Sequence, residues 1–101
     1  MSQGVKLDDG KIEYHLIEPE VLEQLALVLM FGADKYGEGN WKKLENIKRR
    51  YHNALTRHME AIRKGELYDP ESKLFHTSHA MACVHFLSWV DVQEEKLKNK
   101  S

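Results

Sequence analysis

Three histidines and three carboxylates are the residues of this 101-residue chain best placed to do chemistry. His58 precedes the stretch GELYDPESK (65–73), His76 and His79 follow it, and the stretch itself supplies Glu66, Asp69 and Glu71. Carboxylate oxygens suit a hard cation such as Mg²⁺ or Mn²⁺, while added imidazole suits softer metals. The spacing is not that of a zinc site. A structural reading stands beside the chemical one. Asp69 can fix the Asp-Pro turn, Glu66 or Glu71 can pair with Arg57, and a core histidine can be held by one hydrogen bond at each ring nitrogen.

A second group is the heptapeptide KYGEGNW (35–41). Lys35 can neutralise a phosphate, Gly37 and Gly39 leave backbone N–H groups approachable, Tyr36 and Trp41 offer flat faces to a base, and Asn40 can pair with a base edge. The same residues also serve a plain corner of a fold. Gly37 would end one helix, Asn40 would start the next, and the two rings would plug the core.

Helices must position both groups. Pro19 and Glu20 suit a helix start, and the apolar residues from Val21 to Phe31 predict a first helix over Pro19 to Tyr36. Asn40 is expected to cap a short helical turn, Trp41 to Asn46. A second helix is predicted over Ile47 to Lys64, because Tyr51, Leu55, His58 and Ile62 share one stripe with Ala54 and Ala61 beside it. Its other face carries Lys48, Arg49, Arg50, Arg63 and Lys64, read as a solvated surface or a phosphate-binding one. After the loop at 65–73, a third helix is predicted over Phe75 to Lys98, with the stripe Phe75, His79, Ala82, Phe86 and Trp89 or Val90. Residues 1–13 read as an extended arm and 95–101 as a charged tail. The expected fold is all-α, a single domain over 1–101 of three main helices plus a short one. Its bundle is completed by oligomerisation, because three such helices enclose little core alone.

Composition excludes several classes. Hydrophobic residues make up 42% and charged residues 31%, a soluble globular balance without a run long enough to cross a membrane. The polar start does not resemble a secretory signal, so a cytoplasmic protein is expected. With 15 Lys plus Arg against 16 Asp plus Glu, the chain lacks the basic excess of a duplex nucleic-acid binder, whereas a small anionic ligand needs only a local patch. The single cysteine, Cys83, sits in an apolar stretch and reads as a packed, reduced thiol.

Taken in order, LIEPEVLEQLALVLMFGADKYGEGNW, YHNALTRHMEAIRKGELYDPES and HTSHA resemble the phage and bacterial dATP/dGTP diphosphohydrolase N-terminal domain family over roughly Gly10 to Glu94. That family's pattern is FGA-x-KYG-x-x-NW, RH, GE-x-x-DPESG and H-x-x-HA. It is met here by Phe31 to Ala33, Lys35 to Gly37, Asn40, Trp41, Arg57, His58, Gly65, Glu66, Asp69 to Ser72, His76, His79 and Ala80. The one departure is Lys73, which stands where the family has glycine. The resemblance implies an enzyme that cleaves purine deoxynucleoside triphosphates to monophosphate and pyrophosphate. It is similar in spirit to MazG-like all-α pyrophosphatases, which bind Mg²⁺ through E-x-x-E and E-x-x-D. Here Glu20-x-x-Glu23 and Glu66-x-x-Asp69 lie much farther apart than in that superfamily.

The leading expectation is therefore a metal-dependent nucleotide pyrophosphohydrolase using Mg²⁺ or Mn²⁺. Glu66, Asp69 and Glu71 would hold the metal, and His79 or His58 would orient water or a phosphate. Lys35 and Arg57 would neutralise phosphate charge, and Tyr36, Gly37, Asn40, Trp41 and His76 would complete the nucleotide site. A second reading is a non-catalytic protein that sequesters an immune signalling nucleotide. A third is a structural accessory subunit in which every motif residue packs or caps.

Overall fold

The computed structural model describes residues 9–100. Its first long helix, α1, spans Pro19–Tyr36, with Pro19 in the first turn, where its missing N–H costs nothing, and Glu20 at the positive end. Gly37 ends it at φ 94°, its N–H donating to Ala33 O at 2.8 Å. Both ends fall where the sequence places them.

The corner that follows differs from expectation. Its short turn is a 3-10 helix over Asn40–Lys43, entered from Gly39 at φ 74°. Asn40 does not cap it. The Asn40 amide reaches back and donates to Tyr36 O, satisfying a carbonyl that the end of α1 leaves without a helical partner. A Cβ at Gly37 would collide with that amide, so glycine there provides room as well as a positive φ.

The second helix, α2, spans Ile47–Arg63 with Lys64 as its C-cap. Its end is a Schellman turn: Gly65, at φ 93°, donates to Ile62 O at 2.9 Å, and Glu66 N donates to Ala61 O at 2.9 Å. The loop beyond is closed on itself by Asp69 N to Leu74 O (2.7 Å) and Lys73 N to Asp69 O (2.8 Å). Lys73 takes a left-handed φ of 66°, a conformation that glycine would adopt without a Cβ penalty. The third helix, α3, spans His76–Lys98, with Phe75 just outside as its N-cap.

α3 is the middle of the molecule. It packs most heavily on α2 and more lightly on α1, while α1 and α2 barely meet. Burial on α3 accordingly falls on two faces, at His76, Ser78, Ala80, Ala82, Cys83 and Val90, where small side chains admit the neighbouring helices closely. On α2 the stripe of Tyr51, Leu55, His58 and Ile62 is turned inward, whereas Lys48, Arg49, Arg63 and Lys64 are exposed.

The described chain is open and thinly cored. Its radius of gyration is 17.3 Å, against about 13 Å for a compact domain of this length. Val28 is the only buried residue of α1, and Val21, Leu22 and Met30 on the same helix are exposed. Among the described residues ahead of α1 there is one 3-10 turn, Tyr14–Leu16, with Ile12, Tyr14 and Leu16 exposed. Most of the arm expected over 1–13 lies outside the described residues. No helix of the described residues is long and apolar enough to cross a membrane.

Candidate active site

The splay of α1 from α2 opens a cleft of about 980 Å³ over the flank of α3. Lys35, Tyr36, Gly37, Asn40 and Trp41 line it from the α1 corner, and Arg57 and His58 line it from α2. Asp69 and Glu71 enter from the loop, and His76 and His79 from α3. Segments far apart in sequence thus converge on one space, which falls in the size range of small-molecule sites.

At its loop end the histidines form a tight group. The Nδ1 atoms of His58 and His76 face each other at 2.8 Å, and the rings of His58 and His79 stack with centroids 4.7 Å apart. On its far side His76, which is 4% exposed, meets Glu66 Oε1 through Nε2 at 2.6 Å. A carboxylate only accepts, so Nε2 carries the proton and Nδ1 presents its lone pair to the group. His79 Nε2 lies 2.6 Å from Ser72 Oγ, which also accepts from Leu74 N at 3.1 Å. Asp69 Oδ2 accepts the N–H groups of Ser72 (2.9 Å) and Glu71 (3.0 Å).

Protonation follows from these surroundings. Burial, reinforced by His79 and His76, pushes His58 below the usual imidazole range. Burial pushes His79 down too, against the pull of Asp69. Burial alone would raise the Asp69 carboxyl. The Ser72 and Glu71 N–H groups and the nearby histidines outweigh it and hold that carboxyl low. Two neutral imidazoles beside an ionised carboxylate are a ligand set as well as an acid–base one.

His58, Asp69 and His76 each offer one ligand atom, and the three atoms lie within 4.8 Å of one another. This is not the expected set of Glu66, Asp69 and Glu71. Asp69 is common to both. Glu66 stands behind His76, and Glu71 pairs with Lys35 Nζ at 2.5 Å. That pair, through its hydrogen bond and then that to Tyr36, holds the Lys35 ammonium firmly protonated.

The opposite end of the cleft is aromatic. The Trp41 ring lies 4.5 Å from Phe86 and 4.9 Å from Trp89, and Tyr51 lies 4.5 Å from Phe86. Trp41 is thus half-buried packing as well as lining, while Tyr36 is exposed with Lys35 Nζ 5.2 Å from its ring. Burial raises the Tyr51 hydroxyl to about 12 and the Cys83 thiol to about 11, so Cys83 is a packed, protonated thiol. Arg50 also lines the cleft, a position that its place in a run of basic residues does not reveal.

Compared with known proteins, residues 1–100 match the sequence profile of the family described as "dATP/dGTP diphosphohydrolase, N-terminal". The chain belongs to that family. It is also 38% identical over 87 residues to a protein of Salmonella phage PMBT28 named dATP/dGTP diphosphohydrolase. That alignment takes in 86% of this chain but only 29% of the phage protein, so this chain spans under a third of that relative's length. No solved structure matches it. KYGEGNW, RH, GELYDPES and HTSHA, the stretches on which the resemblance was drawn, all contribute residues to this cleft.

Proposed function

We propose that the cleft binds a purine deoxynucleoside triphosphate, dATP or dGTP, and hydrolyses it to the monophosphate and pyrophosphate with a divalent metal ion. The observation that carries this reading is the convergence of His58, Asp69, His76 and His79 at one end of a cleft whose walls also carry Lys35, Arg50 and Arg57. A bound cation would supply charge stabilisation and a more acidic water.

The chain's own residues do the rest. His58, Asp69 and His76 are the groups that would hold the cation. Arg57 and Lys35 neutralise phosphate charge, with Lys35 exchanging Glu71 for a phosphate oxygen. His79, kept neutral by burial, can take a proton from an attacking water. Tyr36 offers its exposed ring to the base, while the packed Trp41 holds the corner in place.

Purified protein given dATP or dGTP with Mn²⁺ or Mg²⁺ should release pyrophosphate, and Asp69→Ala should abolish the release. Tight binding with the nucleotide recovered intact would replace hydrolysis by sequestration. Neither binding nor turnover would reject both readings in favour of a structural subunit.

A further inference from the structure

We propose that His58, Asp69 and His76 form a resident site for one first-row transition-metal ion of the Mn²⁺ to Zn²⁺ series, held in preference to Mg²⁺, with Glu66 as the residue that positions His76. This deepens the hydrolytic reading and rests on it for the ion's use, while the site itself rests on geometry.

The two facing Nδ1 atoms are the first argument. At 2.8 Å they share a single proton in the metal-free chain, because Glu66 fixes the His76 proton on Nε2 and leaves Nδ1 an acceptor. A cation can take that proton's place. His58 then carries its proton on Nε2. Two imidazole nitrogens about 2.0–2.1 Å from one ion at a tetrahedral angle lie roughly 3.3 Å apart. The pair has to open by about half an ångström, with a tilt of the two rings that turns both lone pairs onto the ion.

The surroundings are built to hold the ligands still. Glu66 on the far nitrogen of His76 makes the carboxylate–histidine arrangement that orients metal-bound imidazoles and raises their basicity. The Schellman turn after α2 sets Glu66 in that place. Asp69 is anchored through Oδ2 by two backbone N–H groups, which leaves Oδ1 outside those bonds and available to the ion.

The donor set chooses the metal class. Mg²⁺ prefers oxygen ligands and parts reluctantly with water, so two imidazoles and one carboxylate suit it poorly. The same set suits Mn²⁺, Fe²⁺, Co²⁺ or Zn²⁺, and three protein ligands leave positions open for water or a phosphate oxygen.

The test loads chelator-stripped full-length protein with Co²⁺, read by its visible ligand-field absorption, with Mg²⁺, Mn²⁺ and Zn²⁺ added as competitors. One Co²⁺ per chain is expected, displaced by Zn²⁺ and not by a large excess of Mg²⁺. His58→Gln and His76→Gln should each remove the absorption with helical circular dichroism intact. Glu66→Gln should keep it but weaken affinity by about 10–100-fold. No saturable absorption from folded protein, or displacement by an equal concentration of Mg²⁺, would overturn the proposal. The two readings fail separately. Stoichiometric Co²⁺ with intact dATP and dGTP supports this site and rejects hydrolysis, whereas hydrolysis by folded protein that shows no saturable Co²⁺ absorption supports hydrolysis and rejects this site.

Discussion

At the scale of single residues, the cleft is governed by which groups stay uncharged. His58 and His79 have folded-state values pushed below the ordinary 6.5, mainly by burial. The unfolded chain therefore binds more protons than the folded one as pH falls, and stability drops with it. Their contribution is complete above about 6.5 and lost as pH falls through the lower folded values. Asp69 repeats the pattern lower down, contributing above its usual 3.8 and losing that contribution in stronger acid. Urea denaturation in metal-free buffer should show falling stability from pH 7 to pH 5, and His79→Gln should flatten that slope. An unchanged slope would mean that the imidazoles are not held neutral.

A second expectation at this scale separates the two aromatic residues of KYGEGNW. Tyr36→Ala should leave the melting temperature near that of the parent while weakening nucleotide binding. Trp41→Ala, by emptying the cluster with Phe86 and Trp89, should cost about 2 kcal/mol or more, at the lower end for a large ring because Trp41 is only half-buried. Thermal melts and calorimetry with dGTP on both variants check this. The sequence named both rings but could not rank them, since ring type carries no information about which one meets α3.

At the scale of elements, the legible features were those fixed by local chemistry. Pro19 and Gly37 delimit α1, and the stripe of Tyr51, Leu55, His58 and Ile62 is the inward face of α2. What escaped were the contacts set by how helices cross. Nothing in the spacing of His58 and His76 says that α2 and α3 bring their Nδ1 atoms together, or that the turn at Gly65 sets Glu66 against His76 Nε2. Asn40 misled for a related reason, because a capping amide serves either helix that it can reach. The loop provides the matching test. Lys73 at φ 66° should accept glycine with little change or a gain on the order of 0.5 kcal/mol, whereas Lys73→Val should lose more than about 1 kcal/mol, since a β-branched residue tolerates that region poorly. Gly65→Ala should cost about 1 kcal/mol and weaken metal binding along with it, because it strains the turn that presents Glu66. Chemical denaturation and Co²⁺ titration of the three variants decide it.

At the scale of the whole molecule, the helices are splayed and the apolar surface is left unfinished. Val21, Leu22 and Met30 of α1 are exposed, with Ile12, Leu16 and Ile17 beside the helix start, while Val28 alone of that helix is buried. Large apolar side chains left exposed near the start of α1 offer an interaction surface, and small domains often gain stability by association. The expected outcome is a homo-oligomer joined through the N-terminal half of α1. Its melting temperature should rise with protein concentration, because association stabilises only the folded chain. Leu22→Glu, which puts a charge on that surface without touching the cleft, should give a monomer of lower melting temperature that still binds Co²⁺. Sedimentation equilibrium and melts over a wide concentration range measure both properties. A wild-type monomer with a concentration-independent melting temperature would reject self-association and leave the exposed face of α1 to a different partner.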